Sequence, residues 1–140
     1  MSPKRVRLDA NVLLRFLRND DAKQSPLAAR LFHRAEANEI QLLLSPVILL
    51  EVFYVMAGAY AMPRAQAAHI LLTLISSKLV RCENVVIVAD ALRRITSQKV
   101  SFGDAFLAAS AVHAGECVAS FDRDLSGFPD VEAYDWSEKT

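Results

Sequence analysis

Four carboxylates stand where a solvated-surface role explains them poorly. Asp9 follows Val6-Arg7-Leu8, where an apolar run stops abruptly before helical spacing picks up at Val12, Leu13, Leu14, Phe16 and Leu17. The pattern predicts a short buried strand, a tight polar turn carrying Asp9 and Asn11, and a helix leaving it. Turns just outside the carboxyl ends of strands bind ligands in open α/β sheets; the alternative for either residue is a helix N-cap. Asp122 follows residues 117–121, a second strand candidate, so in a parallel sheet both acids are expected at one edge. Glu51 lies on a run so apolar that its carboxylate reads as buried, and an unpaired buried carboxylate costs several kcal/mol or protonates. A cation or an arginine is therefore expected beside it. Asp104 follows Gly103 and opens the helix of residues 105–114, either as a cap or as a fourth acid.

Carboxylates that converge repel one another, which makes such an arrangement costly without a hard divalent ion. Mg2+ or Mn2+ takes oxygen ligands and keeps several waters. Between acids it suits in-line phosphodiester hydrolysis, through an activated water and a stabilised phosphoryl oxygen. Competing chemistries are poorly supplied. His33, His69 and His113 lie far apart and without zinc-ligand spacing, so they read as surface or satisfied core. The four glycines form no phosphate-binding loop.

The elements that must position these acids follow from periodicity. Helices are expected around Leu27 to Ala35, from Pro46, from Met62-Pro63, from Asn84, and from Ser101 to a stop at Gly115. Short apolar runs at residues 41–44, 79–82 and 117–121 read as strands, with residues 132–134 as a last edge strand. The helix from Pro46 is apolar around nearly its whole circumference, which marks it as central. Short strands alternating with longer helices predict a three-layer α/β/α fold with a short central parallel sheet and Rossmann-like topology.

The chain has 140 residues, 53% of them apolar and 23% charged, which is the profile of one core-forming domain over 1–140 with a loose tail from 136. Sixteen basic residues balance sixteen acidic ones, so no global field recruits nucleic acid; Lys4, Arg5, Arg7, Arg15, Arg18, Arg93, Arg94 and Lys99 read as solvated surface or a local patch. Cys82 and Cys117 are far apart and fit two buried, reduced thiols of a cytoplasmic protein. No apolar h-region follows the basic start, so no secretory signal is expected. Residues 42–62 are nearly all apolar and about the length of a membrane span, but contain Ser45, Pro46, Glu51 and Gly58. They read as a strand running into a helix, with no membrane crossing.

In its ordered motifs the chain resembles the PIN-domain ribonucleases, in particular VapC-type toxins of bacterial toxin–antitoxin pairs. Leu-Asp-Ala-Asn-Val-Leu-Leu-Arg-Phe-Leu (8–17) is similar to the first motif, with Asp9 as the acid and Asn11 as its supporting polar residue. Ser-Pro-Val-Ile-Leu-Leu-Glu-Val (45–52) carries Glu51, and Phe-Gly-Asp-Ala-Phe-Leu-Ala-Ala-Ser-Ala (102–111) carries Asp104. Val-Ala-Ser-Phe-Asp-Arg-Asp-Leu (118–125) carries Asp122, with Ser120 where Thr is commoner. Each motif alone is weak; four in order are specific.

The resemblance implies a PIN-like fold and Mg2+- or Mn2+-dependent endoribonuclease activity. It also implies a homodimer and a cognate antitoxin seated in the acidic groove. Asp9, Glu51, Asp104 and Asp122 would hold the metal, Asn11 and Ser120 would orient them, and Arg15 and Arg123 would grip RNA phosphates. Asp124 is acidic as well, facing either metal or solvent. Two rival readings stand. Asp9-Ala-Asn11 and Gly103-Asp104 faintly resemble motifs of haloacid-dehalogenase phosphatases, with Asp9 as nucleophile, although Asn11 replaces their second acid. The other rival is a non-catalytic pseudo-nuclease that uses the acidic site only to dock a partner.

Overall fold

Parallel strands cannot be joined by tight turns, and here each crossover is made by a pair of helices. The computed structural model describes residues 3–137. In chain order these form β1 (Lys4–Arg7), α1 (Ala10–Arg18), α2 (Gln24–Glu36), β2 (Ile40–Leu44), α3 (Pro46–Ala57), α4 (Arg64–Ser76), β3 (Val80–Cys82), α5 (Val85–Ser97) and α6 (Phe102–Ala114), with a 3-10 helix at Arg123–Gly127. Packing divides the chain into two compact units, Met1–Val85 and Val86–Thr140.

The first unit holds a parallel sheet in the order β1-β2-β3, with Val6 opposite Leu42 and Leu42 opposite Val80. Consecutive Leu42, Leu43 and Leu44 are all buried, so both faces of the central strand are covered, as parallel strands require. In this sheet β1 is an edge strand, which corrects the expectation of a buried one: Lys4, Arg5 and Arg7 are exposed and Val6 is half-buried. Exposed basic side chains on an edge discourage pairing with other chains, and Arg7 is paired with Glu83.

Around this sheet α1 packs on α2 and α3, α3 on α4, α2 against β2, and α4 against β3. The Phe16 and Phe32 rings stack at 3.8 Å between α1 and α2. Ser45 caps α3 by accepting from the Ile48 amide, and Pro46 takes the first turn, where its missing N–H is not needed. One side of α3 buries Leu49, Val52, Phe53 and Met56. The other presents Val47, Glu51 and Tyr54 to solvent, so the helix is not buried all round as its composition suggests. Among the described residues no helix is long and apolar enough to cross a membrane.

In the second unit α6 begins where the Ser101 hydroxyl accepts from the Asp104 amide at 3.0 Å. It ends at Gly115, whose φ of 68° satisfies the last carbonyls in the left-handed conformation that glycine adopts without strain. Residues 117–121 form no strand, contrary to expectation, and neither do residues 132–134. One parallel bridge joins Val118 to Ala133. Strand propensity depends on neighbours for pairing, and among the described residues these segments have only each other.

The C-terminal stretch is tied down further than expected: Trp136 stacks on Phe121 and meets Tyr134 edge-on, while residues 138–140 of the expected tail lie outside the described residues. The two thiols also differ. Cys82 is buried, which pushes its thiol up to about 11, whereas Cys117 is exposed, against the expectation of two buried thiols.

Candidate metal centre

Asp104, Asp122 and Asp124 come together in the second unit. One carboxylate oxygen from each lies within 4.8 Å of the others. Local structure explains how each is presented. Ser101 performs the capping of α6, so the half-buried Asp104 on its first turn has a carboxylate free of that duty. Asp122 caps the 3-10 helix, with Oδ1 accepting from the Asp124 amide at 3.0 Å. The Asp122 amide in turn donates to Ser120 Oγ at 3.0 Å, so the serine holds the turn that carries the acid. Ser120 and Asp122 also line a small cavity of about 80 Å³ with Val118, Leu125, Ser126, Val131 and Ala133.

The far end of this loop is clamped by side chains. Buried Arg94 on α5 donates to both oxygens of Asp130, and its Nε to Asp90 Oδ1 at 2.8 Å. Its guanidinium also lies 4.9 Å from the centre of the Phe128 ring. Asp90 Oδ2 meets His113 Nε2 at 2.9 Å, and the Gln98 amide donates to the Gly127 carbonyl. Paired in this way, Arg94 is held charged even more firmly than usual by Asp130 and Asp90 against the opposing effect of burial. Asp130 is held below the ordinary carboxylate range by the Arg94 hydrogen bonds.

Asp9 and Glu51 belong to the first unit. Asp9 is exposed at the start of α1, where Oδ1 accepts from the Ala10 amide at 2.8 Å, so the capping geometry is real. Asn11 is exposed two residues on, within the first turn of α1. Both line a cleft of about 350 Å³ with Val12, Arg15, Gln24, Leu27 and Ala28. Arg15 is engaged there, donating to Asp20 at 3.0 Å and Gln24 at 3.1 Å. Glu51 is exposed on α3 rather than buried, which removes the desolvation argument for a neighbouring cation. Its helix is simply apolar enough to hide the solvent-facing stripe in which Glu51 sits. Arg123 is exposed on the 3-10 helix and, among the described residues, makes no ion pair.

Sequence reasoning left Asp124 open, started the helix at Ser101 but offered Asp104 as its cap, and read Arg94 as surface or a basic patch rather than a buried clamp. Ser101-x-x-Asp104 is a legible helix start, and Asp90 and Arg94 have the i, i+4 spacing of a helical ion pair. The contact of Arg94 with Asp130 had no local signal. The donor set fits a small hard cation. Three carboxylates supply only oxygen, they sit close enough to share an ion, and none is neutralised by a lysine or arginine at salt-bridge distance among the described residues.

Parallel strands joined by helices, together with a group of acids that could hold a metal ion, define a class of α/β proteins. The PIN-domain family model matches residues 6–131, most of the chain, and the chain belongs to that family. Its fold class is the three-layer α/β/α arrangement with a short parallel sheet. PIN domains are typically nucleases, hydrolases that use divalent metals. No curated protein matches the chain.

Proposed function

We propose that this protein is an Mg2+- or Mn2+-dependent endoribonuclease acting as the toxin of a toxin–antitoxin pair. The observation that carries the nuclease reading is the convergence of Asp104, Asp122 and Asp124 within 4.8 Å in a chain of the PIN family. Asp104 and Asp122 are the metal ligands of this reading, together with Asp9 and Glu51, the acids that the resemblance assigns. Asp124 joins them on its geometry.

When bound, the metal supplies Lewis acidity toward the attacking water and the phosphoryl oxygens. The chain's own residues provide the rest. Asp122 spends one oxygen on the Asp124 amide and keeps the other for the site. Ser120 fixes the Asp122 backbone, and Asn11 is proposed to serve Asp9 in the same supporting sense. Arg123, exposed on the 3-10 helix, and Arg15, once released from Asp20, are the proposed phosphate contacts.

The toxin role, a homodimer, a cytoplasmic location and an antitoxin that covers the acids rest on the resemblance. The test is RNA cleavage by purified protein with Mg2+, with Mn2+ and with chelator. Metal-stimulated cleavage by the wild type is expected, with a loss of about 100-fold or more in Asp104→Asn and Asp9→Asn at unchanged fold. Growth arrest on expression, relieved by Asp9→Asn, is expected of a toxin. Undiminished cleavage by both variants would sink the nuclease assignment; partner binding without any metal-stimulated hydrolysis would indicate a pseudo-nuclease.

A further inference from the structure

Next to Asp122 in the chain stands an exposed aromatic ring, stacked on a second, that the proposed reaction does not use. Phe121, immediately before Asp122, is 90% exposed, and Trp136 is 56% exposed. Their rings stack at 4.7 Å and 17°, and Tyr134 meets the Trp136 ring edge-on at 4.9 Å.

The backbone builds this pair. Val118 and Ala133 form a parallel bridge, with the Val118 amide on the Glu132 carbonyl and the Tyr134 amide on the Val118 carbonyl, each at 2.8 Å. Parallel segments advance together, so three residues onward Phe121 arrives opposite Trp136. Trp136 covers one side of Phe121 while its high exposure leaves the other side open.

We infer that the Phe121–Trp136 stack is a base-binding platform on which a nucleobase next to the scissile phosphate lies against the open face of Phe121. Charge makes an uncharged grip useful at this point. Asp104, Asp122 and Asp124 repel a polyanion, and Arg94 is already committed to Asp90 and Asp130. Stacking on an aromatic face holds nucleic acid without charge and tolerates any base. Because Phe121 adjoins Asp122 in the chain, a stacked base and its phosphate reach the platform and the acids together.

The inference rests on the nuclease reading, and its test is independent of turnover. Trp136 is the only tryptophan, so its fluorescence reports on the stack. The probes are an oligouridylate of about ten nucleotides, within the usual span of single-strand sites, and an abasic oligomer of equal phosphate count, both in chelator so that nothing is cut. Saturable quenching by the oligouridylate and much weaker binding of the abasic oligomer are expected. Phe121→Leu, which keeps apolar bulk but loses the ring, should weaken binding about tenfold or more, and Phe121→Tyr should restore it.

Equal binding of the two oligomers, full affinity in Phe121→Leu, or no saturable binding by the wild type would each overturn the platform. So would a Phe121→Leu variant that loses thermal stability alone, since the stack would then only anchor the C-terminal stretch. Loss of binding by an antitoxin but not by oligouridylate in Phe121→Leu would make the stack a protein contact instead. Metal-stimulated cleavage, measured separately, decides the nuclease reading whichever way the platform falls.

Discussion

Two turns in this molecule present an aspartate at a helix start, and they are held by different means. Asp9 follows Leu8, which is buried and whose amide donates to the Leu43 carbonyl at 2.9 Å, so the turn is an extension of the sheet ladder. Asp122 has, among the described residues, no strand behind it. Its turn depends on the Ser120 hydroxyl, on the single Val118–Ala133 bridge, and on Arg94 and Gln98 reaching the far end of the loop. A backbone ladder tolerates most side-chain substitutions, whereas a side-chain clamp fails when one residue is changed. The first turn should therefore be robust to mutation and the second fragile.

The sharpest way to break that contrast is Arg94→Met. Removing one partner from a buried ion pair costs roughly 3–5 kcal/mol, but Asp130 is half exposed and can be solvated, so about 2–3 kcal/mol is expected. Chemical denaturation would measure it. An Arg94→Met protein as stable as the wild type would show that the loop is held by something other than this clamp.

Acid should erode the same clamp. Asp130 has its folded pKa depressed by Arg94, so its contribution is present in full above the ordinary carboxylate range. It is lost as pH falls through the depressed folded value. The stability difference between wild type and Arg94→Met should accordingly shrink in acid, and Asp130→Asn should remove that part of the pH dependence. A gap that stays constant from neutral to acid would contradict the pairing.

At the first turn, Asp9→Ala should cost about 1 kcal/mol through the lost cap, while Asp9→Asn, an equally good cap, should cost almost nothing. Thermal melts of the two variants separate the structural role of Asp9 from its proposed chemical one. The smallest effect belongs to Ser120→Ala. It removes one largely exposed hydrogen bond, about 0.5 kcal/mol, and should show more in local hydrogen exchange at Asp122 than in global stability.

The first turn was also the more legible of the two. Leu8, Asp9 and the periodic helix after them are local signals, and the structure reproduces a strand, turn and helix there, shifted so that β1 is an exposed edge. Residues 117–121 carried an equally apolar signal, yet became a single bridge because pairing is a property of neighbours. Phe121 contributed to that strand signal while pointing into solvent. Glu51 misled for a related reason: in a helix this apolar, periodicity has too little contrast to reveal that Val47, Glu51 and Tyr54 share the exposed side. Asp104 and Asp122 were readable from their positions at element starts. Asp124 lies only two residues from Asp122, and the approach of Asp104 to that pair was expected from the resemblance and not from any local pattern. The hold of Arg94 on Asp130 belongs to tertiary structure and left no local trace.

The unequal cysteines have a practical consequence. Burial and a thiol pushed up to about 11 keep Cys82 protonated and shielded near neutral pH, while Cys117 is exposed one residue before the Val118 bridge. An alkylating reagent applied to the folded, unmutated protein should therefore attach at one position, on the segment leading to Ser120 and Asp122. A nitroxide placed there would turn the distance from residue 117 to a paramagnetic Mn2+ into a direct spectroscopic ruler for the ion's position.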